Sequence, residues 1–150
     1  GGYGGSQRME AQREAMAQAT AGTGVDVSRT ANNELKLDIP SDISFDTGKA
    51  ALKPEMRPIL DRFAQTLKDN PATKLRIVGH TDNTGSDAIN NPLSLERASS
   101  ARNYLEDRGV AGSRIETVGR GSREPVADNS SDAGRAKNRR IEVFVAEASH

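Results

Sequence analysis

The sequence of 150 residues contains no cysteine and no tryptophan, and aromatic residues make up only 3% of it. The lack of cysteine excludes a disulfide framework and thiolate metal sites. The scarcity of aromatic residues removes the stacking platforms on which single-stranded nucleic-acid binders depend. Because 21 basic residues balance 21 acidic ones, no overall field attracts nucleic acid or an anionic membrane surface. We therefore expect no nucleic-acid partner.

Long apolar runs are also missing, since none approaches the roughly 18 residues that span a bilayer. No transmembrane segment is therefore predicted. The chain begins GGYGGSQ, without a methionine and without the apolar region of a signal peptide. We expect such a start from a mature or excised piece of a longer protein. Hydrophobic residues make up 34% of the chain, which suits one modest core.

The N-terminal residues 1–33 are predicted to form a flexible or helical linker. The glycine-rich start up to Ser6 favours flexibility. The segment from Gln7 to Thr20 is rich in good helix formers, but its apolar stripe is weak and consists mainly of Met9 and Met16. We expect a marginal helix there, either solvated or docked on an envelope protein partner. Residues 147–150 are predicted to be a disordered tail.

Residues 34–146 carry the periodic patterns of one folded domain. Apolar residues alternate from Leu35 to Ile39, which predicts a half-buried strand that Pro40 ends. Spacings of three and four from Met56 to Leu67 predict an amphipathic helix that stops before Asn70. Within this helix Pro54 suits the first turn, whereas Pro58 is awkward and is expected to loosen the turn.

A second helix is expected to start with Asn91 as its cap and Pro92 at its first position, and to end at Gly109. Residues 121–137 are predicted to form a long polar loop anchored by Val126. Further strands are predicted at residues 75–79, 115–119 and 140–146. The predicted fold is α/β (an α+β sandwich) of two layers, with helices on a mixed four-stranded sheet in the order β-α-β-α-β-β.

The stretch from Gly79 to Arg97, GHTDNTGSDAINNPLSLER, leaves a buried strand, crosses a polar loop and enters a helix. Ligands in open α/β sheets favour this crevice beyond the carboxyl ends of the strands. Asp82 follows the strand, Asn90 lies beside the helix start, and Arg97 leans back toward the same crevice. An acid, an arginine and a helix start suit a ligand with both an ammonium and a carboxylate group. Spacing alone equally allows a plain salt bridge between Asp82 and Arg97.

The stretch GHTDNTGSDAINNPLSLERA resembles the signature of the OmpA-like C-terminal domain, which runs GHTD, a short loop, and N-x-x-L-S-x-x-R-A. The similarity continues through RGVAGSRIETVGRGSREPVADNSSDAGRAKNRRIEV and, upstream, through DISFDTGKAALKPE. It covers residues 34–146.

The resemblance implies non-catalytic binding of peptidoglycan through the diaminopimelate of its stem peptide, without cofactor or metal. Matching positions imply Asp82 and Arg97 as the principal pair. They imply supporting contacts from Thr81, Asn90, Asp46 and Arg139, although the neighbouring Arg140 could exchange roles with Arg139. GTGVDVSR and LKLDIPSDISFD also resemble outer-membrane lipoproteins, which implies a periplasmic protein anchored to the outer membrane.

Other functions have weaker support from the sequence. His80 could act as a base, but there is no G-x-S-x-G elbow and no cysteine nucleophile, so we interpret His80 as structural. A calcium loop at DNTGSD would have Leu93 in place of its glutamate and Thr84 in place of an acid. GRGSRE lacks the third glycine of a dinucleotide fingerprint. An envelope protein-interaction or signalling module stays open as the alternative.

Overall fold

The computed structural model describes residues 2–147 and contains helices on one side of a mixed sheet. The helices are α1 (Gly2–Ala19), α2 (Ser41–Ser44), α3 (Arg57–Asp69), α4 (Asp87–Asp107) and α5 (Asp132–Asn138). The strands are β1 (Asp26–Arg29), β2 (Leu35–Pro40), β3 (Thr73–His80), β4 (Ile115–Gly119) and β5 (Arg140–Glu147).

The sheet has the strand order β1-β2-β5-β3-β4. Only the β3–β4 pair, which the helix α4 connects, is parallel, as the rule for crossover connections predicts. The two-layer class and the four predicted strands are confirmed. The count of four is wrong by one, because β1 was missed. Its sequence DVSR has a single apolar residue, Val27, which pairs opposite Leu37, and one apolar residue makes no alternation.

The core lies between the sheet and the helices α1, α3 and α4. Side chains that alternate along the strands, such as Leu37, Val143 and Ile77, bury one face of the sheet. The amphipathic face of α3 covers it with Phe63, which is fully buried. Each such side chain contributes roughly 1.5–3 kcal/mol through burial. The predicted helix face and strand alternation are therefore the packing surfaces of the domain.

The helix α3 accommodates Pro58 because it starts late. A 3₁₀ turn over Pro54–Met56 precedes it, so Pro58 falls in the first helical turn, where a missing N–H costs nothing. Instead of the expected loosened turn, the structure has a change from a 3₁₀ turn to an α-helix at Arg57. At the other end, Arg114 donates to the backbone oxygens of Leu67, Asn70 and Thr73 at 2.9–3.0 Å. One half-buried guanidinium thus joins the end of α3 to the start of β3.

The N-terminal segment contacts the rest of the domain. Helix α1 begins at Gly2, so residues 2–6 belong to a helix, and their flexibility stays a prediction. Met9 and Met16 are buried in the common core, and Thr66 on α3 contacts the sulfur of Met16. The weak apolar stripe of α1 therefore packs against the rest of this chain. The boundary between residues 33 and 34 stays a prediction. Of the predicted tail, Glu147 ends β5, and residues 148–150 lie outside the described residues.

The amide of Gln12 is a defect in the packing of α1. It lies between Met9 and Met16 on the buried face and is 3% exposed, and neither amide atom has a hydrogen-bond partner. A buried polar group without a partner costs about 1–3 kcal/mol. We expect Gln12→Leu to raise the free energy of unfolding by about 1–2 kcal/mol in urea denaturation. Gln18→Leu, at an exposed position of the same helix, is the control. Equal midpoints for both variants would contradict this account of Gln12.

The start of α4 and the loop after β4 differ from the prediction. Helix α4 begins at Asp87 instead of after Asn91, and Pro92 lies inside it. The first turn and a half therefore forms before the proline, which the cap-and-proline pattern does not reveal. The predicted loop 121–137 contains α5, capped by Ser131. Val126 is 59% exposed and is no anchor.

The buried amide of Asn138 holds that loop instead. Its oxygen accepts from the N–H groups of Val126 and Ala127 at 2.7 and 2.9 Å. Its nitrogen donates to the carbonyl of Ala127 and to the side chain of Asn129. One side chain from the end of α5 therefore replaces the apolar anchor that the sequence suggested.

Candidate functional site

A cavity of about 510 Å³ lies at the carboxyl end of β3, between the β3–α4 loop, the segment around α2 and the helix α5. Its walls include five of the six residues singled out from the sequence: Thr81, Asp82, Asn90, Arg97 and Arg139. The sixth, Asp46, is exposed and takes part through its backbone carbonyl. The position agrees with the expectation for an open α/β sheet.

Asp82 lies two residues after the end of β3 and is largely buried. One carboxylate oxygen accepts from the N–H of Thr84 at 2.8 Å, and the other accepts from Nη1 of Arg139 at 2.7 Å. Burial alone would raise the pKa of Asp82, but the bonds from Thr84 and Arg139 outweigh burial and lower the pKa. Asp82 is therefore an ionised acid at neutral pH, fixed in direction by the loop.

Arg139 bridges two acids. Besides Asp82, it binds both carboxylate oxygens of Asp42 at 3.0 Å, through Nε and Nη2. The bonds to Asp42 and Asp82 raise the pKa of Arg139 above its usual value. Two carboxylates thus share one guanidinium, and this acid cluster (Asp42, Asp82 and Arg139) keeps a formal charge of −1.

Arg97 lies in the same cavity without an acid partner among the residues that the structure describes. Its Nε donates to the carbonyl of Lys49 at 2.9 Å and its Nη2 to that of Asp46 at 3.3 Å. The guanidinium lies 5.1 Å from the ring centre of Phe45. Burial lowers the pKa of Arg97, yet a guanidinium stays charged in proteins. The direct Asp82–Arg97 salt bridge that the sequence left open is absent, since Asp82 pairs with Arg139.

Asn90 and Thr81 complete the floor of the cavity. The amide nitrogen of Asn90 donates to the carbonyl of Thr84 at 3.0 Å, which ties the loop to the first turns of α4. The N–H of Thr81 donates to the carbonyl of Gly121 at 2.8 Å, which joins this loop to the one after β4. Both side chains are buried. They therefore support the loop that aims Asp82.

Two glycines let α4 approach the sheet closely enough to carry Asn90 and Arg97 to the cavity. A Cβ on Gly79 would lie 2.0 Å from the carbonyl oxygen of Ser94, and one on Gly119 would lie 2.7 Å from the backbone nitrogen of Leu95. Neither position can therefore carry a side chain while α4 lies this close to the sheet. The first glycine of the GHTD motif is thus a packing requirement of the site.

Sequence reasoning missed three charged or aromatic side chains of the cavity, Asp42, Phe45 and Arg135. Asp42 and Phe45 lie in and just after the short helix α2, about forty residues before Asp82, and no local pattern connects them to the loop. Arg135 lies in the stretch interpreted as a loop. Between Arg139 and Arg140, the structure favours Arg139 for the cavity. Arg140 is 3% exposed and donates instead to Glu142 and to the carbonyls of Asn138 and Glu124.

His80 belongs to a buried polar network behind the site. Its Nε2 lies 2.9 Å from Glu142, whose other oxygen accepts from Arg140 at 3.1 Å. The structural interpretation of His80 is confirmed by this contact. Burial alone would raise the pKa of Glu142, but the hydrogen bond of His80 and the charge of Arg140 lower it to about 2.

Glu142 should therefore make the fold sensitive to acid. Because its pKa is lower in the folded chain than the ordinary value of 4.5, the stabilisation is present above about pH 4.5 and is lost as pH falls toward 2. We expect a loss on the order of 3 kcal/mol from this group, measured by urea denaturation between pH 5 and pH 2. Glu142→Gln should be less stable than wild type at pH 5. Its free energy of unfolding should also change less than that of wild type between pH 5 and pH 2. The same pH dependence in Glu142→Gln and wild type would contradict the lowered pKa of Glu142.

Within residues 2–147, no group of three or more His, Asp or Glu side chains is placed to hold a metal ion. None of the described helices has the length and apolar character required to cross a membrane.

Comparison with known proteins identifies relatives of the chain. A profile of the OmpA family matches residues 44–139. The probable lipoprotein YiaD of Escherichia coli is 39% identical over 135 residues, which cover 90% of this chain and 61% of that protein. The peptidoglycan-binding protein ArfA of Mycobacterium tuberculosis is 50% identical over 103 residues, 69% of this chain and 32% of ArfA.

Among solved structures, the cell wall anchor of the T6SS from Pseudomonas aeruginosa matches with a TM-score of 0.76 and 32% identity, over 91% of this chain and 99% of that one. ArfA is named as a peptidoglycan-binding protein and the T6SS structure is described as that of a cell wall anchor, whereas YiaD is named as a probable lipoprotein. The chain spans less than two thirds of YiaD and about a third of ArfA. The family profile, the identities and the shared fold agree, and the chain belongs to the OmpA family.

Proposed function

We propose that this chain binds peptidoglycan non-catalytically through the diaminopimelate of the stem peptide. The observation that carries the proposal is the separation of charge within one cavity. The acid cluster has a formal charge of −1, and Arg97 is a buried cation with no acid partner among the described residues. The free end of diaminopimelate carries one ammonium and one carboxylate group, which is the complement of that arrangement.

Each proposed contact has a stated role. Asp82, oriented by Thr84, receives the ligand ammonium, and Arg97 binds the carboxylate through the guanidinium edge that its backbone contacts leave open. Arg139 holds Asp82 in place and prevents the two acids from repelling each other. Thr81 and Asn90 keep the loop in shape, and the carbonyl of Asp46 helps to orient Arg97.

The binding mechanism is complementarity in a site that the protein's own contacts already hold. Hydrogen bonds fix the side chains of Asp82, Arg97 and Arg139 before the ligand arrives, so little conformational entropy is lost on binding. The ring of Phe45 packs against the guanidinium of Arg97 and shields it partly from water, which strengthens its pairing with a carboxylate. No cofactor or metal takes part in this scheme.

The relatives support the proposal and extend it. ArfA is a peptidoglycan-binding protein and the T6SS protein is a cell wall anchor. YiaD is a probable lipoprotein. We infer that this chain works in the periplasm as part of a protein anchored to the outer membrane, which it tethers, together with any attached machine, to the wall. Docking of an envelope protein on the N-terminal helix stays a prediction, and Met9 and Met16 are already buried within the chain.

Sedimentation with purified diaminopimelate-type sacculi tests the proposed function. The matched control is the same sacculi after an amidase has removed the stem peptides, so that only glycan remains. We expect the chain to sediment with intact sacculi and to stay in the supernatant with the stripped ones. Sedimentation with both would indicate glycan binding. If the chain stays in the supernatant with both, the envelope protein-interaction module becomes the better hypothesis.

A further inference from the structure

One arginine of the cavity has no role in binding a zwitterion. Arg135 lies on α5 and lines the cavity together with Arg97 and Arg139. Its Nη1 donates to the carbonyl of Asn129 at 2.8 Å, and its Nη2 pairs with Asp132. These contacts fix the guanidinium at the cavity wall. It is a positive charge in the same cavity as the negative acid cluster.

The positive charge of Arg135 is poorly neutralised. The side chain of Asp132 is 99% exposed, whereas that of Arg135 is 28% exposed. An ion pair with so exposed a carboxylate is screened by water and is weak. Arg139, in contrast, is held by two carboxylates at 2.7–3.0 Å. The cavity therefore offers a second cationic position besides Arg97.

The charges of the cavity do not balance for a zwitterion alone. Among the lining residues three arginines face two aspartates, which gives a formal charge of +1. Of the residues that the structure describes, only Asp132, which is 99% exposed and lies outside the lining, offsets this charge. A ligand end with one ammonium and one carboxylate leaves it without a partner inside the cavity. A ligand with one further carboxylate would meet it. A tripeptide stem has two such groups near its zwitterionic end, the free carboxylate of its D-glutamate and the C-terminal carboxylate of diaminopimelate. In longer stems the second group forms a peptide bond, and only the carboxylate of D-glutamate remains.

We propose that Arg135 recognises a second carboxylate of the wall peptide and makes the cavity prefer peptides in which this group is free over peptides in which it is a carboxamide. This inference rests on the proposed function. A carboxamide has no charge to pair with a guanidinium, and its NH₂ group is a donor facing other donors. Amidation thus removes an attraction and adds a mismatch, which is how a site discriminates between close analogues.

Titration calorimetry with three soluble stem tripeptides tests the inference. One peptide has all carboxylates free, the second is amidated at D-glutamate, and the third is amidated at the carboxylate of diaminopimelate that lies outside the zwitterion. We expect wild type to bind the free peptide about 5- to 10-fold more tightly than one of the amidated peptides. The amidated peptide that loses affinity identifies the carboxylate.

Arg135→Gln should bind the free peptide and that amidated peptide equally. Arg135→Lys, which keeps a charge, should retain part of the preference. Lys137→Gln, which removes an exposed charge from the same helix, should keep all of it. The inference is overturned if wild type does not discriminate or if Arg135→Gln discriminates as wild type does. If wild type binds none of the peptides, the proposed function itself fails and the inference fails with it.

Discussion

Arg97→Ala should reduce binding to stem peptides by at least about 30-fold while leaving the chain folded. Truncating one partner of a buried, hydrogen-bonded charge pair typically costs 2–5 kcal/mol of binding free energy, and 2 kcal/mol corresponds to about 30-fold. The variant also leaves the ligand carboxylate in a cavity whose remaining nearby charges include two acids. Titration calorimetry with a diaminopimelate tripeptide measures the loss.

The structure adds a stability cost to this variant that the sequence did not indicate. Arg97 donates to the carbonyls of Lys49 and Asp46 and lies over Phe45. We therefore expect the free energy of unfolding to fall by about 1–2 kcal/mol. Arg97→Lys separates the two effects, because it keeps the charge and loses the fork of two parallel donors. It should lose less stability than Arg97→Ala, because its ammonium can still donate to one of these carbonyls, and should still lose about 10-fold in affinity.

Arg102→Ala is the matched control, since it removes a guanidinium five residues further along α4, where Arg102 pairs with Glu106 on the surface. It should bind as wild type does. Wild-type affinity in folded Arg97→Ala would contradict the assigned site. If Arg97→Ala instead costs several kcal/mol of stability and wild type binds no wall fragment, Arg97 has a purely structural role.

Gly79→Ala should strongly destabilise the domain although it adds only one methyl group. The added methyl group would lie 2.0 Å from the carbonyl oxygen of Ser94, which is backbone and cannot rotate away. Helix α4 must then move off β3, and overpacking of this kind costs 1–3 kcal/mol or more. We expect a loss of about 3 kcal/mol or more in urea denaturation.

The same substitution should also abolish wall binding, because α4 carries Asn90 and Arg97. Gly112→Ala provides the control. Its added methyl group would meet the carboxylate end of Glu106, a flexible side chain that can turn aside, so stability should change by less than about 1 kcal/mol. If Gly79→Ala is as stable as Gly112→Ala, the close packing of α4 on β3 is not what positions the site.

The sequence was most informative where a pattern is local. Alternation predicted the strands β2 and β5, and the three-four spacing predicted the buried face of α3, since the same residues pack in the core. The parallel β3–β4 pair agrees with the general rule for strands that a crossover helix connects. Strand β1 was not predicted because four residues with a single valine show no alternation of apolar and polar residues. Pairing with β2 stabilises it.

The site was predictable in part for the same reason. Asp82, Asn90 and Arg97 lie within sixteen residues, and a strand, a loop and a helix fix their relation. Their partners do not lie nearby in the sequence. Asp42 pairs with Arg139 across 97 residues, so the fact that Arg139 rather than Arg97 neutralises Asp82 depends on the tertiary fold. A single sequence without that fold leaves both pairings open.

The central claim is that the cavity recognises the zwitterionic end of diaminopimelate. Its most direct test is titration calorimetry with two stem tripeptides that differ only in their third residue, diaminopimelate in one and lysine in the other. Lysine keeps the ammonium and lacks the carboxylate that Arg97 is proposed to bind. The account predicts measurable binding of the first peptide and at least about 30-fold weaker binding of the second. Equal affinity for both peptides, or no binding of either, would contradict it.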